Sequence, residues 1–273
     1  MSVLPATSLS EKEEKLRELI SGYQSVAVAY SGGVDSSYLS AICHSLLRDR
    51  ARLVLADSPS IPRSEVADAV ALANDRGWDL TVIQTNEFEK EEYLKNDERR
   101  CYFCKATLFK EMNAFAQTHQ IKVLAYGAMA DDDLDYRPGH QAAREYRVVA
   151  PLIEAGLGKE EIRELSRRLD LPTAGKASFA CLSSRFPTGS RITPEKMGMV
   201  EAAEEVLREQ GFHQFRARHH GDICRIEISM QDVAKLLDEA ARNSVVERIR
   251  ALGFRFVTLD LAGYKTGSVA AKP

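Results

Sequence analysis

The sequence predicts an α/β fold, in which a doubly wound parallel sheet is followed by a smaller C-terminal α+β domain. Three observations predict it. Short apolar runs alternate with helical patterns over residues 26–169. Polar residues or glycine follow several of these runs directly, as at the carboxyl ends of parallel strands. Beyond a segment rich in glycine and serine, two alternating strands come together as a hairpin.

Each predicted element has a local signal. Leu16, Leu19 and Ile20 recur at helical spacing, Gly77 ends a helix in the C′ manner, and Pro194 begins one at its first position. The predicted helices span residues 10–22, 37–47, 64–76, 105–117, 159–169, 194–209, 233–241 and 244–252. The predicted strands span residues 26–29, 53–56, 80–84, 123–126, 215–219, 223–228 and 254–259.

Composition sets the outer limits. The chain has 273 residues, 44% of them hydrophobic, which is enough for two modest cores. We expect domains at residues 1–175 and 193–273, joined by a linker at 176–192 that carries a reactive cysteine. The net charge of −3 gives no general attraction to nucleic acid. No apolar run reaches the length of a membrane span and no signal peptide is evident, so we expect a cytosolic protein.

The segment Ser31-Gly32-Gly33-Val34-Asp35-Ser36 follows the first buried strand and opens a helix. Paired glycines let backbone N–H groups approach an anion, and a helix N-terminus favours negative charge. The segment lacks the lysine of the Walker loop and the third glycine of the dinucleotide motif. It resembles the pyrophosphate-binding loop of the PP-loop ATP pyrophosphatases. The alternative is a strand-to-helix turn that only requires glycine.

Two further loops are expected beside this one. Asp57-Ser58 follows the second strand and Gly127 follows the fourth. The carboxyl ends of parallel strands share one edge of the sheet, so the sequence predicts that the three loops line one crevice.

Five cysteines are present, of which Cys101 and Cys104 precede a predicted helix as C-x-x-C. A helix N-terminus lowers thiol pKa values. With Cys181, which lies in the linker, they suit a three-cysteine iron–sulfur cluster with one open iron. A thioredoxin-like pair, a zinc site with another ligand, and three unrelated thiols remain open alternatives.

Cys181 precedes Ser183-Ser184-Arg185 in a segment that we expect to be a flexible loop. A thiol near an arginine is placed to be nucleophilic or metal-bound. Arg185 and Arg191 could clamp a phosphate, which suits a nucleotide substrate.

Together these motifs resemble the LarE family over nearly the whole chain. The resemblance rests on SGGVDSS, on residues 127–139 with their acidic run, on residues 181–189 and on Arg216-Ala217-Arg218-His219. LarE proteins are ATP-dependent sulfur transferases of nickel-pincer nucleotide cofactor synthesis. The resemblance implies adenylation of the carboxylates of pyridinium-3,5-dicarboxylate mononucleotide, then replacement of AMP by sulfur. It also implies a homo-oligomer and partner proteins of the same pathway.

The family's roles are carried over residue by residue. ATP would be held by Ala29, Ser31, Gly32, Gly33, Asp35, Ser36, Ser58, Gly127 and Asp131, with Asp35 also facing Mg²⁺. Catalytic groups would be Lys105, Cys181, Ser184, Arg185 and Glu204, and the substrate phosphate would bind Arg185, Arg216 and Arg218. For Glu204 the alternative is a solvated helix face. Arg216 and Arg218 alternate along one strand, so they face the same way and predict a paired anion site.

One departure from the single-cysteine members affects the source of sulfur. Those members sacrifice the sulfur of the cysteine that matches Cys181 and keep dehydroalanine. The thiols of Cys101 and Cys104 favour the branch in which Cys101, Cys104 and Cys181 bind a [4Fe–4S] cluster. Alternatives to the LarE function are a PP-loop tRNA thiolase, an NAD- or GMP-synthetase-like enzyme, and a regulatory module that holds ATP without turnover.

Overall fold

The computed structural model describes residues 8–132, 138–177 and 180–265, and the chain forms two compact units. The first consists of Met1–Ser58, Arg63–Glu87 and Arg99–Phe179. The second consists of Pro59–Pro62, Phe88–Glu98 and Ala180–Pro273. The second unit therefore includes two short segments from the N-terminal part of the sequence. The boundaries 1–175, 176–192 and 193–273 stay a prediction.

The regular elements of the described residues are numbered in chain order. The strands are β1 (Val26–Tyr30), β2 (Ala51–Asp57), β3 (Leu80–Gln84), β4 (Val123–Tyr126), β5 (Phe215–His220), β6 (Ile223–Ile228) and β7 (Phe256–Leu259). The α-helices are α1 (Leu9–Ser21), α2 (Val34–Leu47), α3 (Arg63–Asp75), α4 (Glu91–Leu94), α5 (Arg100–Thr118), α6 (Pro138–Glu145), α7 (Pro151–Glu154), α8 (Lys159–Arg168), α9 (Pro194–Glu209) and α10 (Glu239–Ala251).

The first unit is built on a parallel sheet of strand order β3-β2-β1-β4, which confirms the predicted α/β class. β1 is central, and its residues Val26, Ala27 and Val28 are fully buried. Consecutive buried residues are typical of a parallel strand covered on both faces. Because all four strands run in one direction, the segments that follow β1, β2 and β4 leave from the same edge.

The helices of this unit have the local signals that helices need. α1 begins with a capping box, in which Ser8 and Glu11 each accept the other's backbone N–H. α1 buries Leu16 and Ile20. α2 follows β1 after only three residues and is buried along most of its length. The position of its N-terminus is therefore fixed by the core of the first unit.

The second unit is a small α+β structure with sheet order β5-β6-β7. β5 and β6 form the predicted antiparallel hairpin, and β7 lies parallel to β6. One face of the hairpin places Ala217, Cys224 and Ile226 in a core with α9 and α10. The charged residues of the hairpin occupy the opposite face.

Two predicted elements differ from the structure. The helix predicted at 105–117 begins at Arg100, so Cys101 and Cys104 lie within its first two turns rather than before it. The helix predicted at 233–241 is a 3₁₀ segment, Met230–Leu237, followed by α10. Asp238 separates the two because its side chain caps the N–H of Ala241.

Among the residues that the structure describes, no helix combines the length and the apolar character that crossing a bilayer requires.

Candidate active site

The loop after β1 is held by one hydroxyl and one glycine. Ser36 accepts the N–H of Ser31 at 3.2 Å and donates to the carbonyl of Gly33 at 3.2 Å. Gly32 has φ of +67°, and a Cβ there would lie 2.7 Å from the Cβ of Ala69 in α3. Only glycine fits both the backbone conformation and this close approach.

Gly127 packs against the same helix from the end of β4. A Cβ on Gly127 would lie 2.9 Å from the backbone N of Ser36. The start of α2 is thus approached closely by two backbone segments, one of them from the neighbouring strand β4. The sheet edge brings Ser31 and Gly127 together beside α2, as the sequence predicts.

Asp35 lies in the first turn of α2 and is paired with a lysine. The ammonium of Lys159 donates to both carboxylate oxygens of Asp35, at 2.9 and 2.8 Å. The backbone N–H of Lys159 donates to Oδ2 of Asp131 at 2.6 Å. Asp35 and Asp131, both predicted to contact ATP, are therefore joined through the first residue of α8. Residues 133–137 of the acidic run lie outside the described residues.

The end of β2 carries a second polar group. Ser58 is buried, donates its hydroxyl to Glu87, and accepts a hydrogen bond on its carbonyl from Arg63 at 2.6 Å. Hydrogen bonding by Arg63 lowers the pKa of the neighbouring Asp57 below its ordinary value. Ser58 is thereby fixed in position, and Ala29 lies half-buried in β1.

Lys105 lies on α5 beside the two aromatic rings of Phe109 and Tyr126. Its ammonium is 5.6 Å and 5.3 Å from the two ring centroids. Removal from water lowers the pKa of Lys105, and the thiols of Cys104 and Cys101 act in the opposite direction. This combination favours an amine that can donate or accept a proton near neutral pH.

Cys101 and Cys104 are spaced i, i+3 on α5, so their side chains lie one turn apart on the helix surface. Cys101 is exposed and Cys104 is half-buried. In residues 8–132, 138–177 and 180–265 no group of three or more His, Cys, Asp or Glu side chains is placed to hold a metal ion. The described residues therefore do not by themselves form the predicted cluster site, and the cluster stays a prediction from sequence.

In the second unit, the segment after Cys181 is anchored rather than flexible. Leu182 donates its N–H to the carbonyl of Ser60 at 2.8 Å. Ser183 shares a hydrogen bond of 2.7 Å with Tyr93, and both are buried. The expectation of a flexible loop is wrong for residues 182–186, because charge pairing and burial hold them.

Arg185 is the centre of that anchoring, with only 1% of its surface exposed. It donates to Oε1 of Glu204 at 2.8 Å and to Oε2 at 3.1 Å. It also donates to the carbonyl of Cys181 at 3.1 Å and to the hydroxyl of Ser184 at 2.9 Å. Glu204 is buried and accepts the N–H of Ala217 at 3.1 Å as well, so it does not lie on a solvated helix face.

The two strand arginines have different partners. Arg218 makes a buried bidentate pair with Glu227, with both distances at 2.9 Å, and donates to the carbonyl of Ser184 at 2.7 Å. Arg216 donates to the hydroxyl of Tyr264 at 3.1 Å. Among the residues that the structure describes, no carboxylate forms an ion pair with Arg216. Burial lowers the pKa of Arg216, and the charge of Arg185 adds to this.

The predicted site residues fall into two groups. The first unit holds Ala29, Ser31, Gly32, Gly33, Asp35, Ser36, Ser58, Cys101, Cys104, Lys105, Gly127 and Asp131, and the second holds Cys181, Ser184, Arg185, Glu204, Arg216 and Arg218. Sequence reasoning missed Lys159, Glu87 and Glu227, which bind predicted site residues directly. A lysine at a helix N-terminus, where acidic residues are favoured, was the available signal for Lys159.

No family model matches the chain, but curated proteins resemble it along its length. The pyridinium-3,5-bisthiocarboxylic acid mononucleotide synthase of Lactiplantibacillus plantarum is 32% identical over 95% of this chain and 94% of that protein. The chain belongs to the LarE family. The uncharacterized protein slr1717 of Synechocystis is 38% identical over 96% of this chain and 97% of its own length.

A more distant relative comes from another part of the PP-loop group. One of the proteins that make up the glutamine-hydrolyzing GMP synthase of Saccharolobus islandicus is 24% identical over 75% of this chain and 60% of that protein. The LarE resemblance drawn from the motifs is confirmed, and so is the PP-loop type of α/β fold.

Gly32→Ala tests the close packing of the loop in this LarE-family protein. We expect the free energy of unfolding to fall by about 2–4 kcal/mol, because alanine disfavours positive φ and its Cβ would overlap Ala69. Gly33→Ala is the matched control, since φ at Gly33 is −81° and its Cβ would meet only the hydroxyl of Ser31, at 3.3 Å. Urea unfolding measures both, and an equal loss in the two variants would contradict the packing.

Glu204→Gln tests the buried pair with Arg185. The substitution keeps the shape but leaves a buried guanidinium without its counter-charge, so we expect a loss of about 3–5 kcal/mol. Glu164→Gln removes an exposed carboxylate that pairs with Arg167 and Arg168 on α8, and we expect a loss below about 1 kcal/mol. Urea unfolding followed by circular dichroism measures both. Similar small losses would show that the Arg185 pair does not hold residues 181–186.

Proposed function

We propose that the protein is an ATP-dependent sulfur transferase that makes thiocarboxylates for nickel-pincer nucleotide cofactor synthesis. Its substrate would be pyridinium-3,5-dicarboxylate mononucleotide, adenylated and then thiolated at each carboxylate. The observation that carries this proposal is the identity of 32% with a synthase named for the bisthiocarboxylic acid product, over 95% of this chain. The loop before α2 and the second unit's arginines support it.

The adenylation step would use the first unit. A carboxylate oxygen attacks the α-phosphorus of ATP, the bond to the β-phosphate oxygen breaks, and pyrophosphate leaves. N–H groups at the start of α2 would stabilise the leaving pyrophosphate, since Gly32 and Gly33 leave them unobstructed. Asp35 has the donor type and place to hold Mg²⁺, which when bound neutralises phosphate charge. Ser58 and Gly127 would bound the nucleotide at the same sheet edge.

The second unit would orient the mononucleotide. Arg216 is the candidate phosphate ligand, because a desolvated guanidinium that has no carboxylate partner among the described residues gains most from binding an anion. Arg185 and Arg218 are already paired with Glu204 and Glu227. They would instead position Ser184, whose hydroxyl and carbonyl they bind. Holding the phosphate in this way would place the reacting carboxylate.

Sulfur would reach the acyl adenylate by one of two routes, of which the cysteine pattern favours the first. In the first route Cys101, Cys104 and Cys181 would hold a [4Fe–4S] cluster, which supplies sulfide and leaves the polypeptide intact. In the second the thiolate of Cys181 attacks the acyl carbon and AMP leaves with the carboxylate oxygen. Loss of the α-proton and cleavage of the Cβ–S bond would then leave dehydroalanine and the thiocarboxylate.

Intact mass and visible absorption of anaerobically purified protein, before and after turnover with ATP and the dicarboxylate mononucleotide, test the proposal. Release of AMP and pyrophosphate with a thiocarboxylate product supports sulfur transfer. Iron-dependent absorption with unchanged polypeptide mass supports the first route, and loss of the mass of H₂S supports the second. No AMP release would contradict the function, and a bound nucleotide without turnover would indicate a regulatory module.

Cysteine variants separate the two routes. Cys181→Ala should abolish product in both, whereas the Cys101→Ala and Cys104→Ala double variant should abolish it only in the first. Cys224→Ala is the matched control from the second unit, because burial raises the pKa of that thiol to about 12 and keeps it from acting as a nucleophile. Full activity of the double variant would rule out the cluster.

A further inference from the structure

Lys159 binds the side chain of one predicted ATP ligand and, through its backbone, the side chain of another. Its ammonium lies 2.9 and 2.8 Å from the carboxylate oxygens of Asp35, the second residue of α2. Its own N–H donates to Asp131 at 2.6 Å. The side chains of Lys159 and Asp35 are 19% and 22% exposed, so solvent reaches the pair and either partner can be exchanged. This lysine therefore stands at the start of the helix that follows the phosphate loop.

The position of Lys159 is electrostatically unfavourable for α8 itself. It is the first residue of that helix, where the macrodipole favours acidic side chains and disfavours an ammonium. The N-terminus of α2 adds further positive potential around the carboxylate of Asp35. One carboxylate is thus surrounded by two helix N-termini and an ammonium. Such an arrangement favours the binding of more negative charge than Asp35 carries.

We propose that Lys159 is a pyrophosphate-binding residue that exchanges partners when the nucleotide binds. Its ammonium moves from Asp35 to oxygens of the β- and γ-phosphates, and Asp35 is released to hold the metal ion. A lysine suits this exchange because its ammonium is a compact charge on a flexible stem, with three donors and no fixed geometry. The assignment rests on the proposed function, since it names the group that receives the leaving pyrophosphate.

The exchange has a consequence of opposite sign for two ligands. Removing the ammonium takes away a partner of pyrophosphate, so pyrophosphate binds more weakly. The same change removes the competitor for Asp35, so a divalent cation binds more tightly in the absence of nucleotide. Damage to the fold would weaken both ligands together.

Lys159→Met and Lys12→Met are the variants to compare. Lys12 makes the same kind of pair on the same helix, donating to both oxygens of Glu161 at 2.7 and 2.9 Å. Its side chain is 22% exposed and that of Glu161 is 32% exposed, close to the values for Lys159 and Asp35. Lys159→Gln is a second variant for use if the methionine variant is unstable, and circular dichroism verifies the fold of each.

Calorimetry with inorganic pyrophosphate and titration with Mn²⁺ monitored by electron paramagnetic resonance provide the two readouts. For Lys159→Met we expect pyrophosphate to bind at least about tenfold more weakly without metal, since a charge-assisted hydrogen bond is lost. We expect Mn²⁺ alone to bind severalfold more tightly. Lys12→Met should leave both affinities at the wild-type values.

Three results would overturn the assignment. Unchanged pyrophosphate affinity in Lys159→Met would show that the ammonium stays with Asp35, and weaker binding of both ligands would make Lys159 a structural residue. Either result leaves the proposed function standing. Failure of the wild-type protein to bind ATP or pyrophosphate would overturn the proposed function, and this assignment with it.

Discussion

The close approach of two glycines to the start of α2 is the constraint on which the first unit depends. Gly32 leaves no room for a Cβ against Ala69 in α3, and Gly127 leaves none against the backbone of Ser36. These contacts tie the phosphate loop to a neighbouring helix and to the end of β4. The N–H groups at the start of α2 are fixed in place before any ligand arrives, so binding an anion there requires little reorganisation.

The second unit is organised by charge rather than by glycine. Arg185 with Glu204 and Arg218 with Glu227 are buried pairs whose remaining donors bind the backbone and hydroxyl of residues 180–184. A buried pair is costly to form and still more costly to break, so it confers a defined position rather than much stability. Arg216 is different, because its partners are a tyrosine and a backbone carbonyl. That difference separates the candidate phosphate ligand from the two positioning residues.

Much of the first unit could be predicted from sequence because its signals are local. The strand at Leu80–Gln84 and the glycine stop at Gly77 are determined by short patterns. The predicted start of α5 is five residues late, since Arg100-Cys101-Tyr102-Phe103 has no cap that marks a helix end. The anchoring of Arg185 depends on Glu204 from another helix and on strand β5. No local pattern reports such a contact between elements distant in sequence.

The same limit applies to function. The motif before α2 identifies the PP-loop, and the likeness over the whole length identifies the family. Neither one predicts that Lys159 pairs with Asp35, because 124 residues separate them and only the fold brings them together. Pairings of this kind decide which charges are available to a ligand, and a structure is needed to find them.

The central claim is that the loop before α2 binds the pyrophosphate leaving group of an adenylation. The direct measurement is turnover with substrate labelled with ¹⁸O in its carboxylates, followed by mass spectrometry of the nucleotide products. Adenylation followed by thiolation transfers one carboxylate oxygen to AMP, so we expect AMP that carries a single ¹⁸O beside unlabelled pyrophosphate. Label in inorganic phosphate beside ADP, or AMP without label, would contradict the claim.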